Sequence, residues 1–397
     1  MRIESTLAKD SLIRLLSNVI PLILLQFILL PLVASRLGND QYGAMLTIVA
    51  LFTLGPSVLG NSINNVRLIY NDKYAMTDAR GDFPFLVVGC SIIALVFMAV
   101  AAGYYSGIGI EFFLVILTAV PWLLFDYNIV FYQIDLDFIS ILKLNIAQCL
   151  GYLIGFFLFL LTGLWPLIYL LGKTCALGFF YATYSDWKDP FTKTLLFCGT
   201  VKDTAILSFS SLLNNVPTYA DRLLIYPVLG GGAVAVYYAA SLLGKLLTMA
   251  VSPVNNVLLS HLSKASSKND SMFWRTLKVS FATLFVGCLL TVLLSYPALS
   301  FLYPSLAEEA LPFVPILALA SLFSSISTIL LPFILRFFSR MWQVTMNFGL
   351  SVLYIALSLF LLSVGFGLWG FCWSLLVTAF ARFGITLAIY SRAKESK

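Results

Sequence analysis

The chain has 397 residues, of which 60% are hydrophobic, with 24 Lys and Arg against 18 Asp and Glu. Charged residues make up 11%, against about a quarter in a soluble domain, which excludes a soluble protein. With a mean hydropathy of +0.95, no polar stretch is long enough for a separate soluble catalytic or regulatory domain.

A membrane-spanning helix needs about 20 mostly apolar residues, and the chain offers twelve such runs. In order they are Leu12–Leu37, Gly43–Val66, Pro84–Gly103, Phe112–Gln133, Ile141–Thr162 and Leu164–Tyr184 in the first half. The second half has Thr204–Val228, Ala233–Leu259, Thr276–Leu302, Leu311–Leu335, Trp342–Val364 and Leu368–Tyr390. With the N-terminus inside, 19 Lys and Arg fall in cytoplasmic segments and Arg36 alone falls outside, the bias expected of cytoplasmic loops. Both termini are therefore expected in the cytoplasm. The first run is too long, and lacks the small-residue cleavage pattern, for a removable signal, and it reads as a retained helix. The scattered basic residues suit anionic lipid at the inner face and do not form a nucleic-acid surface.

Several motifs fall away on inspection. Cys90, Cys149, Cys175, Cys198, Cys288 and Cys372 contain no Cys-x-x-Cys pair, so neither a disulfide framework nor a zinc site is expected. The one histidine, His261, has no metal-ligand partners nearby in sequence. Gly365-Phe366-Gly367-Leu368-Trp369-Gly370 fits a dinucleotide fingerprint but joins two apolar helices. Gly172-Lys173-Thr174 lacks the first glycine of a phosphate loop, its place being taken by Leu167. No nucleotide hydrolysis and no cofactor are expected, and a proton or sodium gradient is the energy source to be tested.

The chain also repeats itself. Leu15-Leu16-Ser17-Asn18-Val19 recurs as Leu212-Leu213-Asn214-Asn215-Val216, and Ile63-Asn64-Asn65-Val66 as Val254-Asn255-Asn256-Val257. The turn Leu37-Gly38 with Tyr42 recurs as Leu229-Gly230 with Tyr237. Six spans per unit make this a parallel repeat, an arrangement known for transporters with a substrate site between two lobes. The expected lobes are 1–184 and 204–397, with a cytoplasmic linker at 185–203.

Six charged residues lie within the spans and away from their ends: Asp126, Lys173, Asp221, Arg222, Lys245 and Arg382. Such residues cost roughly 2.5–3.5 kcal/mol at the bilayer centre and face a cavity or a partner. Four are positive and two negative, which suits an anionic substrate. In the eighth span Tyr238, Ser241, Lys245, Thr248, Ser252 and Asn255 fall on one helical face, as do Ser211, Asn215, Thr218 and Arg222 in the seventh and Ser57, Asn61 and Asn64 in the second. The first span adds Arg14, Asn18 and Gln26. Asn145, Gln148 and Tyr152 in the fifth read as interhelical hydrogen-bonding groups beside Gly151 and Gly155. For Arg382 and Lys173 snorkelling or pairing with a carbonyl is an open alternative, and for Asp126 a structural ion pair. Prolines such as Pro21, Pro56 and Pro217 read as kinks, hinged or static.

Three segments carry a family resemblance: Arg36-Leu37-Gly38-Asn39-Asp40-Gln41-Tyr42-Gly43, Tyr219-Ala220-Asp221-Arg222-Leu223-Leu224-Ile225 and Val236-Tyr237-Tyr238-Ala239-Ala240-Ser241. On these the chain resembles the O-antigen flippases (Wzx-type) among the polysaccharide exporters of the multidrug/oligosaccharidyl-lipid/polysaccharide (MOP) superfamily. The chain stands at the short end of that family, with very short outer loops. The resemblance implies an all-α polytopic protein of two six-helix lobes, with a cavity lined largely by the first, second, seventh and eighth helices. It implies translocation of undecaprenyl-diphosphate-linked O-antigen or capsular repeat units from the cytoplasmic to the periplasmic leaflet of the bacterial inner membrane, without bond breakage. Arg14, Arg222 and Lys245 would hold the diphosphate and sugars. Partners would be the lipid-linked oligosaccharide, membrane lipids, a polysaccharide polymerase and a chain-length regulator, with no nucleic acid. The substrate-binding set thus comprises Arg14, Asn18, Asn64, Lys173, Asn215, Asp221, Arg222, Tyr238, Ser241, Lys245, Asn255 and Arg382. Two other functions stay in view. A cation-coupled multidrug exporter would use Asp126 and Asp221; a membrane polysaccharide polymerase would need a sizeable outer loop with catalytic residues.

Overall fold

Inside a bilayer no water serves the backbone, so each apolar run must close its own hydrogen bonds, which it does as a helix. The computed structural model describes residues 13–14, 16–76, 81–105, 109–263, 270–337 and 340–392. Side chains are described throughout these except at 214, 216–218, 246, 247, 249–263, 335–337, 340–344 and 392. Among the described residues there is no strand, and the fold is all-α. In chain order the helices are α1 (Leu16–Leu37), α2 (Asn39–Met76), α3 (Asp82–Tyr105), α4 (Ile110–Ile134) and α5 (Phe138–Thr162). Then come α6 (Pro166–Thr183), α7 (Phe197–Ser263), α8 (Asp270–Leu302), α9 (Val314–Phe337), α10 (Arg340–Ser363) and α11 (Gly367–Arg392).

Among the described residues ten helical stretches are long and apolar enough to cross a membrane, which makes this a multi-pass membrane protein. The sixth expected span is helical as α6 but carries Lys173 at its centre and is not among the ten. The seventh and eighth expected spans are both helical within α7, which breaks between them at Gly230. In the other direction, α2 runs to Met76, beyond the expected end at Val66.

Two prolines leave a visible mark. Pro31 and Pro56 bring no N–H to the carbonyls of Phe27 and Phe52, and π-helical turns stand at Leu24–Leu29 and Thr53–Ser57, wider turns of the kind that re-route such bonds. The two Leu-Gly turns of the repeat also agree in conformation. Gly38 has φ 77° and ψ 167°, and Gly230 has φ 81° and ψ 178°, a region that glycine enters at little steric cost.

The helices pack as two units. Unit 1 runs through Gly38 and from Ala44 to Tyr219; unit 2 takes Asn39–Gly43 and the described chain from Ala220 on. In unit 1, α5 and α6 approach through small residues. A methyl carbon added at Gly151 would stand 2.3 Å from the Leu171 carbonyl oxygen, and one at Gly155 2.5 Å from that of Leu167. The segment after α6 is fastened to the ends of α2 and α3. Asp82 accepts from the Thr194 N–H at 2.9 Å and the Tyr74 hydroxyl at 2.6 Å, and Asp203 accepts from Tyr70 at 2.7 Å.

In unit 2, Asn39–Gly43 docks on the turn after Gly230. A methyl carbon at Gly43 would meet the Gly231 carbonyl oxygen at 1.8 Å, and the Gly232 N–H donates to Asp40 Oδ1 at 2.8 Å. The core of this unit centres on Phe273, Phe333 and Tyr390, with Phe273 and Tyr390 stacked at 3.5 Å between ring centroids.

Candidate functional site

The turn at Gly230 folds α7 back on itself, so that residues far apart along the chain meet inside unit 2. Arg222, before the turn, lays its guanidinium 4.9 Å from the ring centroid of Tyr238, after the turn. Lys245, two helical turns further on, brings its ammonium to 5.0 Å from the same ring. The face of a tyrosine ring attracts cations, and here it serves two. Asp221 and Arg222 are buried, while Lys245 is half-buried. Asp221 accepts the N–H of Arg222 at 2.8 Å and acts electrostatically on Lys245, Tyr237 and Tyr354. Arg222 and Lys245 repel one another across this space.

The Tyr238 ring is held by two further tyrosines. It makes edge contacts with Tyr42 at 6.2 Å and Tyr303 at 6.5 Å, and the hydroxyls of Tyr42 and Tyr303 lie 3.1 Å apart. Tyr42 reaches this place because Asn39–Gly43 belongs to unit 2. The arrangement offers two cations and a carboxylate on an aromatic floor, a setting that favours an anionic group with hydrogen-bonding neighbours.

The structure thus brings Asp221, Arg222, Tyr238, Ser241 and Lys245 into one neighbourhood. Ser241 spends its hydroxyl on its own helix, donating to the Tyr238 carbonyl at 3.0 Å, as Thr248 does to that of Lys245 at 2.8 Å. The remaining predicted residues lie elsewhere. Arg382 donates to Asn347 Oδ1 at 2.7 Å and ties α11 to α10. Asn215 donates to the Ser211 carbonyl at 2.8 Å. Asn64 donates to the Asp126 carbonyl at 3.0 Å and so ties α2 to α4. Arg14 is exposed at the start of α1. The side chains of Asn255, Thr218, Ser252 and His261 lie outside the described residues.

Lys173 is buried in unit 1 with its ammonium 3.6 Å from the ring centroid of Phe125 and 4.9 Å from that of Trp122. It interacts electrostatically with Asp126, whose carboxylate also accepts from the Ser57 hydroxyl. Buried on these two rings, Lys173 does not snorkel, and Asp126 acts on it through its field without an ion pair among the described residues.

Sequence reasoning missed a second charged centre in unit 1. Arg67 pairs with Asp189 and donates to the Tyr127 hydroxyl, with its guanidinium 4.3 Å from the ring centroid of Phe131. A cavity of about 390 Å³ opens beside it, lined by Tyr74, Asp135, Tyr184 and Asp189 among others. Asn145, Gln148 and Tyr152 also differ from expectation. Their one side-chain hydrogen bond among the described residues runs within α5, from Gln148 to Tyr152 at 2.6 Å, and all three line a cleft facing α1. Among the described residues no group of three or more His, Cys, Asp or Glu stands ready to hold a metal ion.

No family model matches the chain, and no curated protein matches it. Solved structures do. The chain is similar to the lipid II flippase MurJ in an inward closed conformation, at 16% identity and a TM-score of 0.72, over 97% of this chain and 88% of that one. It is similar to a multidrug resistance MATE family transporter of the MOP superfamily in an inward-facing conformation, at 14% identity and 0.67, over 95% and 98%. It is also similar to the Vibrio cholerae MATE transporter VcmN in its bent form, at 13% identity and 0.62, over 98% of each chain. At such identities the likeness is one of fold, and the chain has the fold of the MATE and MurJ transporters of the MOP superfamily.

Proposed function

We propose that the chain is a flippase that carries undecaprenyl-diphosphate-linked O-antigen or capsular oligosaccharide repeat units from the cytoplasmic to the periplasmic leaflet by alternating access. The observation that carries this reading is the convergence of Arg222 and Lys245 on the ring of Tyr238. A cation inside a membrane protein is expensive to hold, and a diphosphate is the group two of them would serve. The likeness to a lipid II flippase supports a lipid-linked substrate, and the inward-facing and bent forms of its structural neighbours support a fold that changes shape.

In this reading no bond is broken, the six-helix halves 1–184 and 204–397 are the moving lobes, and both termini lie in the cytoplasm. A polymerase and a chain-length regulator would act on the delivered unit. The test is a deletion strain, in which lipid-linked repeat units should accumulate on the inner leaflet; normal translocation there overturns the proposal. A second reading, a cation-coupled multidrug exporter, draws on the MATE neighbours and on the buried carboxylates Asp126 and Asp221. Uptake of a lipophilic dye by whole cells separates the two, since only the exporter lowers it.

A further inference from the structure

We propose that α1 and α5 form a binding cleft for one neutral polyhydroxylated ring, a single sugar unit. The inference deepens the flippase reading and rests on it for the source of the sugar. The cleft measures about 270 Å³ and lies wholly within unit 1. Its polar wall consists of Asn18 and Gln26 from α1 and Asn145, Gln148 and Tyr152 from α5.

The α5 residues are spaced by three and four and so share one helical face. They are 5%, 4% and 4% exposed. Yet the Asn145 amide makes no hydrogen bond among the described residues, and neither do those of Asn18 and Gln26. Gln148 uses one N–H on Tyr152 and keeps its carbonyl oxygen for another donor. Burying an amide such as that of Asn145 without a partner costs roughly 1–3 kcal/mol, so a helix assembled for packing alone would carry leucine there. Instead four amides and a phenol point into one space.

The chemistry of the lining selects the occupant. Each amide offers two donors and one acceptor, matching hydroxyl groups that both give and take. No charged side chain lines the cleft, so a phosphate would find no cation and an amine no carboxylate. Pro21, Leu22 and Leu25 supply an apolar wall for the C–H face of a sugar ring. The volume is just below the range of roughly 300–1,000 Å³ typical of ligand pockets, so it admits one ring and not a whole repeat unit.

The test is saturation-transfer NMR on the full-length protein in lipid nanodiscs, with methyl β-glucoside and methyl N-acetyl-β-glucosaminide as probes and inorganic phosphate as the charged control. Transfer to the ring protons is expected with the wild-type protein, and phosphate should not compete. Asn145→Leu and Asn18→Leu keep the branched side-chain outline and its number of heavy atoms and remove the amide. Each should weaken glycoside binding about fivefold, the worth of about 1 kcal/mol of hydrogen bonding. Asn18 is exposed in the cleft, so its variant is informative even if Asn145→Leu fails to fold. Competition by dodecyl glucoside tells a lipid-linked ring from a free one, because a lipid-linked source predicts that the long chain competes better. Absence of transfer with the wild type, or equal transfer in both leucine variants, leaves the cleft to water and overturns the proposal. Failure of the flippase reading shows elsewhere, as normal translocation in the deletion strain, and leaves this titration unaffected.

Discussion

In unit 1 buried charge is met by opposite charge: Arg67 by Asp189, and Lys173 by the field of Asp126. In unit 2 Arg222 and Lys245 converge on one tyrosine ring and repel each other, with Asp221 acting on the pair. The difference separates opposite charges set between helices from like charges gathered on one aromatic ring. A compensated pair in the bilayer adds little to the surrounding field, whereas two like charges drawn together need a carboxylate and a ring beside them to be sustained.

That contrast can be broken by mutation. The largest expected effect is at Asp126. Asp126→Asn removes the carboxylate that acts on buried Lys173 and accepts from Ser57, and should lower stability by roughly 1–3 kcal/mol, read as thermal unfolding in detergent. Replacing both Asp126 and Lys173 by Leu should restore most of the loss. Equal damage in the double variant would show that the unit 1 charges are not structural.

Next come the cations of unit 2. Arg222→Ala and Lys245→Ala should each reduce translocation about tenfold or more at unchanged protein level, equivalent to a charge-assisted contact of roughly 1.5–3 kcal/mol. Accumulation of lipid-linked repeat units on the inner leaflet is the measurement, and unchanged translocation would reduce the cluster to packing.

Gly43→Ala sharpens the claim that Asn39–Gly43 brings Tyr42 to the site. A methyl carbon 1.8 Å from the Gly231 carbonyl oxygen must displace backbone, at roughly 1–3 kcal/mol. Loss of both stability and translocation is expected, and loss of neither would detach this segment from the site.

The smallest effect belongs to Asp137, which caps α5 by accepting from the Ser140 N–H at 3.0 Å and the Ser140 hydroxyl at 2.6 Å. Asp137→Ala should cost about 1 kcal/mol with translocation intact. The Ser140 hydrogen bonds, its hydroxyl first, hold the Asp137 carboxyl below its ordinary value. Its contribution is therefore present above the unfolded pKa, near 3.9, and lost as pH falls through the lower folded one. A variant whose unfolding below that window still differs from wild type would show that the cap acts other than by its charge.

How much of the site was legible follows from distance along the chain. Arg222, Tyr238 and Lys245 stood out because they lie on one helix pair joined by a short turn, whose Gly230 was visible as the partner of Gly38 in the repeat. Asp126 and Lys173 are visible in the sequence as lone charges within spans, and nothing along the chain brings them together. Arg67 was counted only as an inside charge because Asp189, 122 residues on, is out of reach of any periodicity. Asn145 and Gln148 read as helix contacts, since a polar face looks the same in sequence whether it meets a neighbouring helix or lines a cleft.

The sequence alone determined that this chain lives in a membrane as helices, and roughly where they run. In a bilayer each span must satisfy its own backbone and present apolar side chains to lipid, and both demands are written locally in hydropathy. Only the tertiary structure decided which polar groups compensate one another and which are left facing space. Compensation depends on pairs brought together by packing, and no average along the chain records them.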